Sequence, residues 1–140
     1  MSATANKKLM QDIFEGLANR DAALFVESLA DDASWTMTGQ YSWSMTFEGK
    51  EAIYRDLIAH LRRRLEWPTR TIAFRFIADG DFVVVEASGD NKTKEGVPYK
   101  NAYSMIYRLE NGKIKEIREY CDSALVEKVL GPFPALARTG

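Results

Sequence analysis

Apolar residues recur at two different periods along this chain, and the change of period separates a helical first half from a strand-rich second half. Residues 7–19 place Leu9, Ile13, Phe14 and Leu17 on one helical face, and Asn19-Arg20-Asp21 interrupts before Ala22 to Val26 begin a shorter helix, for which Asp21 is a suitable N-cap. The pair predicts a helical corner closed by Leu24, Phe25, Ser28 and Leu29. Residues 34–38, Ser-Trp-Thr-Met-Thr, alternate and predict a strand with Trp35 and Met37 on one face, ending at Gly39. Gln40 to Gly49 carries Tyr41, Trp43 and Phe47 without a clean period; it reads as a loop with room for a short extended piece, suited to cover a cavity mouth. Residues 50–65 repeat Ile53, Leu57, Leu61 and Leu65 with Tyr54 and Ile58 beside them, an amphipathic helix that ends before Pro68.

From there the period is two. Thr69 to Ala78 alternates, Asp79-Gly80 turns, and Phe82 to Ala87 returns as a strand apolar enough to be buried on both faces. Asp90 to Pro98 is a wide polar loop. Tyr99 to Asp122 then forms a long hairpin about Asn111-Gly112, the dipeptide that suits a type I′ turn because both central residues need positive φ. A short helix after Asp122 is stopped by Gly131-Pro132, leaving a tail from about residue 132. Neither repeats nor a linker break the pattern, so the expectation is a single α+β domain over residues 1–140.

Composition narrows the function classes without naming one. Nineteen basic and twenty acidic side chains leave a net charge of -1, so no global field draws nucleic acid or an anionic membrane. The Arg62-Arg63-Arg64 run reads as a solvated last turn that complements the helix dipole. One cysteine, Cys121, and one histidine, His60, offer neither a disulfide nor a zinc-type ligand cluster; a metal site would have to be built from carboxylates, and no ligand spacing suggests one. The first residues lack the apolar core of a secretory signal, which makes the cytoplasm the expected location.

Candidate chemistry gathers on the long hairpin, where Asn101, Tyr103, Glu119 and Asp122 are interleaved with apolar residues, as a sheet lining a ligand cavity requires. Asn101 and Tyr103 are either donors to a bound carbonyl or a cross-strand polar pair. If Ile117, Glu119 and Cys121 face inward, Asp122 faces away unless the strand breaks at its end, so one regular strand cannot aim both carboxylates inward. Asp122 is either an acid/base group or the N-cap of the helix that follows. Glu86, among valines, either reaches a pocket or pairs with Arg75 or Arg108.

The order of elements and three local patterns, Asn101-x-Tyr103, Arg108 before the Asn111 to Ile114 turn, and Arg118 to Asp122, resemble the nuclear transport factor 2-like superfamily, and within it the SnoaL-like and ketosteroid-isomerase-like proteins. The resemblance implies a cone-shaped, strongly curved antiparallel sheet wrapped by three N-terminal helices around an apolar pocket. It places Phe14, Trp35, Met37, Tyr54, His60, Glu86, Asn101, Tyr103 and Met105 among the substrate-binding residues, His60 through its helix over the cavity. The steroid isomerases' tyrosine, base and acid positions fall on Phe14, Met37 and Met105, so that mechanism does not carry over. Asp122 matches one aspartate of limonene-type epoxide hydrolases, but their arginine–aspartate pair would fall near Glu86 and Ser88, which leaves half of the machinery missing. SnoaL-like cyclases use a late aspartate as a metal-free general acid/base, and Asp122 occupies a corresponding place. The expectation is therefore a cofactor-independent isomerase or cyclase acting on a small apolar or aromatic carbonyl compound, with Asp122 or Glu119 as proton carrier. A non-catalytic ligand-binding or dimer-interaction module of the same fold is the alternative. Phe74, Phe76 and Tyr107 are expected to give the convex face an apolar patch and the protein a homodimer.

Overall fold

A computed structural model describes residues 2–134; of the expected tail, residues 135–140 lie outside the described part. Helix α1 (Ala3–Ala18) is capped by Ser2, whose hydroxyl accepts from the Ala5 N–H at 3.1 Å, and buries Met10, Ile13 and Phe14. It turns sharply into α2 (Ala23–Ser28) because the Asp21 N–H bonds back to the Gly16 carbonyl at 2.9 Å. A Cβ at Gly16 would stand 2.7 Å from the Asp21 carbonyl oxygen, so only glycine permits this corner. The N-cap of α2 is Ala22 and not the expected Asp21, which stands one residue earlier and accepts from the Ala23 N–H at 3.0 Å.

Strand β1 (Leu29–Met37) begins five residues earlier than the alternation of residues 34–38 shows, because Leu29 already pairs with Ile114 across the sheet. The aromatic loop does contain an extended piece, β2 (Met45–Glu48), paired antiparallel with β1. The long helix is continuous but not uniform: α3 (Lys50–Ala52) passes into a π-helical segment (Ile53–Ile58) and then α4 (Ala59–Arg64). It ends at Leu65, followed by a cis peptide between Trp67 and Pro68.

Strands β3 (Thr71–Asp79) and β4 (Phe82–Gly89) form one hairpin, and β7 (Ala102–Glu110) and β8 (Lys113–Cys121) the other. Between them β5 (Asn91–Lys92) and β6 (Pro98–Tyr99) make a two-stranded ribbon inside the polar loop. Asn111 and Gly112 have φ of 51° and 76°, the positive pair that the tight turn demands. The six-stranded sheet runs β2-β1-β8-β7-β4-β3, antiparallel throughout except for the parallel pair of β1 with β8. Register shifts in the β1–β8, β3–β4 and β7–β8 pairs bend this open sheet around α1 and the long helix. Helix α5 (Ser123–Leu130) follows and buries Val126 and Leu130. No helix among the described residues is long and apolar enough to cross a membrane.

Two expectations need correction. Strand β4 is not buried on both faces: Val83, Val85, Ala87 and Gly89 are buried while Phe82 and Ser88 are exposed, since helix α1 covers only the concave side. Nor do Phe74, Phe76 and Tyr107 share the convex face. A bulge between Ala73 and Arg75 turns Phe74 outward and Phe76 inward, where Phe76 and Tyr107 both meet Phe14 edge-on at 5.9 and 6.0 Å. Phe74, Ile77, Phe82 and Tyr120 are large hydrophobic residues left exposed there.

Candidate functional site

A cavity of about 280 Å³ lies between the concave face of the sheet and the helices. Its wall on the sheet side alternates as the strand period requires: Trp35 and Met37 from β1, Tyr103, Met105 and Tyr107 from β7, and Glu119 from β8. Phe14 of α1 and Tyr54, Leu57, Ile58 and Leu61 of the long helix face them. Thus Glu119, Tyr103, Met105, Trp35, Met37, Phe14 and Tyr54 are brought together around one space.

The four other candidates stand elsewhere, each for a local reason. Asp122 follows β8 and caps α5, its Oδ1 accepting from the Leu125 N–H at 3.1 Å. Asn101 is fully buried but works on the backbone: its side chain accepts from the Asp122 and Ala102 N–H groups at 3.0 and 2.8 Å and donates to the Tyr99 hydroxyl at 2.9 Å. It therefore orients Tyr99, which does line the cavity. Glu86 faces the outer side of the sheet and pairs with Arg75 at 2.5 Å across the β3–β4 ladder. His60 packs behind the cavity against Trp43 and Phe133, at 5.2 and 5.1 Å between ring centres. Burial, helped by Arg63 and Arg64, holds its pKa below the ordinary value.

Among the described residues, Glu119 is the one carboxylate in the cavity wall. Its main chain is fixed where β1 ends, with its carbonyl accepting from the Thr38 N–H at 3.1 Å and the Thr38 hydroxyl at 2.7 Å. Its side chain is 8% exposed, and burial raises its pKa to about 7, against smaller opposing pulls from the Trp35 indole N–H and the Cys121 thiol. The Trp35 N–H is near enough to exert that pull, yet it has no hydrogen-bond partner among the described residues. The phenols of Tyr99, Tyr103 and Tyr107 are all held above the ordinary range, first by desolvation and further by the charge of Glu119, and the Tyr107 hydroxyl donates to the Met105 Sδ at 3.4 Å. They stay protonated and can donate at neutral pH. Cys121 is likewise pushed up, to about 11, so it is a thiol and not a nucleophile. No group of three or more potential metal ligands occurs among the described residues.

Several wall residues escape the sequence pattern. Tyr107 shares parity with Tyr103 and Met105, so strand alternation could have found it. Trp43 sits in an aperiodic loop, Trp67 beside the cis peptide, and Tyr99 on the short ribbon, where no period extends far enough to aim a side chain. At the rim, exposed Arg62 lays its guanidinium 5.3 Å from the Trp67 ring centre.

Solved structures of the same shape are plentiful. An NTF2-like protein of unknown function from Burkholderia pseudomallei superposes with a TM-score of 0.75 at 22% identity, over 93% of this chain and 98% of its own. TerC, crystallised with polyporic acid, gives 0.74 at 20% identity, over 89% and 97%. A candidate SnoaL-like polyketide cyclase from Jannaschia sp. gives 0.73 at 16% identity, over 94% and 95%. No curated protein sequence matches the chain. The SnoaL-like domain model matches residues 10–117, from within α1 through β8 as far as Ile117, short of Glu119 and α5, and the chain belongs to the SnoaL-like domain family of the NTF2-like fold.

Proposed function

We propose that the protein performs cofactor-independent acid/base chemistry on a small apolar or aromatic carbonyl compound, an isomerisation or a cyclisation, with Glu119 as the proton carrier. One observation carries this reading: a buried glutamate, poised near neutral pH by desolvation, forms part of an otherwise apolar cavity wall. The ionised carboxylate takes the proton from the carbon next to the ligand's carbonyl, and the C–H electron pair moves into an enolate. The neutral acid then returns the proton to another carbon, giving an isomer. If the enolate carbon first attacks a second carbonyl, the acid protonates the resulting alkoxide and a ring is closed. Epoxide hydrolysis draws no support, because the Asp122 carboxylate is engaged at the start of α5. A small-molecule ligand in the same fold has a precedent in TerC with polyporic acid.

A purely ligand-binding role is the second reading, favoured by the apolar Phe14, Met37 and Met105 at the positions implied to hold a steroid isomerase's polar groups. Deuterium uptake next to the carbonyl of aryl methyl ketones, followed by proton NMR in D₂O, separates the two. Wild-type protein is expected to accelerate exchange, increasingly as pH rises through about 7 where the carboxylate forms. Glu119→Gln should lower the rate by about 10²–10⁴-fold, and Asp122→Asn should leave it in place. Ligands that bind without any accelerated exchange would make the protein a binding module. We also propose a homodimer, for which the exposed Phe74, Ile77 and Phe82 are the support.

A further inference from the structure

Trp35 is set in the wall with more care than an apolar lining residue needs. It lies on β1 opposite Ile117 of β8, so Glu119, two residues farther along, is its diagonal neighbour on the same concave face. Phe25 meets its ring edge-on at 6.1 Å and 69°, which fixes the plane of the indole. Its Nε1 is buried, and no group among the described residues accepts its hydrogen. The Glu119 carboxylate is near enough for the N–H to pull on its titration, yet it does not reach hydrogen-bond geometry with Nε1. A buried N–H without an acceptor is costly and rare in folded proteins. Phenylalanine or leucine would line a purely apolar cavity without that cost.

We infer that the Trp35 indole N–H is the hydrogen-bond donor for the ligand's oxygen, holding a carbonyl or enolate oxygen beside the Glu119 carboxyl and so restricting the cavity to apolar compounds that carry an acceptor there. The inference rests on the cavity being a ligand site, and it does not require that Glu119 move a proton. The chemistry matches at both ends. Indole N–H is a donor only, so it selects a carbonyl, phenolate or enolate oxygen over a group that can only donate, such as an ammonium or a protonated amine. It also cannot be deprotonated by the neighbouring carboxylate. A donor aimed beforehand at the oxygen strengthens its bond as negative charge develops on that atom, which is the direction enolate formation requires.

Acetylnaphthalene and its hydrocarbon isostere isopropenylnaphthalene provide the test, because they differ at the acceptor alone. The protein has three tryptophans, so three indole N–H signals are expected in a ¹⁵N NMR spectrum, and Trp35→Phe identifies one by its loss. Titrating wild-type protein with the ketone should move the Trp35 signal downfield, and the hydrocarbon should not. Trp35→Phe should weaken ketone binding about tenfold and leave hydrocarbon binding unchanged, the difference expected for one hydrogen bond. An unmoved Trp35 signal in the ketone complex overturns the assignment, and that measurement needs no variant to fold. Equal weakening of both ligands in Trp35→Phe overturns it as well, since that is what loss of packing alone would give. Binding of neither compound overturns it together with the cavity's role as a ligand site. Ketone binding without deuterium uptake leaves the Trp35 assignment standing and removes only the proton transfer.

Discussion

At the scale of single residues, Glu119 ties stability and reactivity to the same proton with opposite signs. The carboxyl titrates at its ordinary 4.5 in the unfolded chain and at about 7 in the folded one, because burial disfavours its charge. The folded state therefore holds the proton more tightly. This contribution to stability is fully present below 4.5 and is lost as pH rises through about 7, a change of roughly 3 kcal/mol. Glu119→Gln cannot ionise, so urea unfolding should show the variant losing less stability than wild type between pH 5 and pH 8. Equal losses would mean that the carboxyl is solvated. Asp122→Ala should cost about 1 kcal/mol through the lost cap and leave ligand affinity unchanged, measured by urea unfolding and by ketone titration. Strand alternation set the choice between these two carboxylates, since Ile117, Glu119 and Cys121 share a parity that Asp122 does not, but it left open whether the strand breaks to turn Asp122 inward; the bond from the Leu125 N–H to its Oδ1 is a tertiary detail of the start of α5. Trp35 could be placed on the cavity face in the same way. That its N–H would lack an acceptor depends on the positions of side chains from α2 and β8, which no local pattern carries.

At the scale of elements, the hairpins and helices follow from their periods, while departures from regularity aim the side chains. The bulge in β3 is one such departure, and it sends Phe74 and Phe76 to opposite faces although they stand two residues apart. The segment after α5 is another. Phe133 lies in what the sequence presents as a tail, yet it is 7% exposed and meets Trp43, Phe47 and His60 within 5.7 Å of ring centre to ring centre. It is latched there by several bonds. The Trp43 indole donates to the Gly131 carbonyl at 2.9 Å, the Phe133 N–H donates to the Ser42 hydroxyl at 2.9 Å, and Ser42 in turn bonds to Glu127. Nothing local in residues 131–134 announces this, because the partners lie some ninety residues earlier. Phe133→Ala should cost about 3–5 kcal/mol, read as a fall in the unfolding midpoint, and should also weaken ketone binding because Trp43 lines the cavity. A normal midpoint would show that the latch does not hold Trp43.

At the scale of the whole molecule, the sheet has one face committed to the cavity and another that keeps Phe74, Ile77 and Phe82 exposed beside the Arg75–Glu86 pair. Apolar side chains of that size on a sheet face suit an isologous contact with a second copy. Sedimentation at micromolar concentration is expected to show a dimer, and Phe74→Glu with Ile77→Glu should convert it to a monomer without loss of fold. A wild-type monomer under those conditions would contradict the proposal. The α+β class and the element order were readable from the chain alone. The strand order was not, because β1 and β8 are parallel neighbours and a local pattern does not say which distant strand a given one will join.

That parallel pair has a consequence for the order of events during synthesis. Trp35 meets Ile117, and Met37 meets Glu119, only after some eighty intervening residues have been made and the loop between them has closed. Until β8 leaves the ribosome, the edge of β1 that β8 occupies in the finished sheet has no partner, and Glu119 has no wall to be buried in. The burial that distinguishes it requires the strand made last. A nascent chain stalled before β8 should therefore bind none of the ligands of the finished protein, and the site's chemistry arises late, as a product of closure.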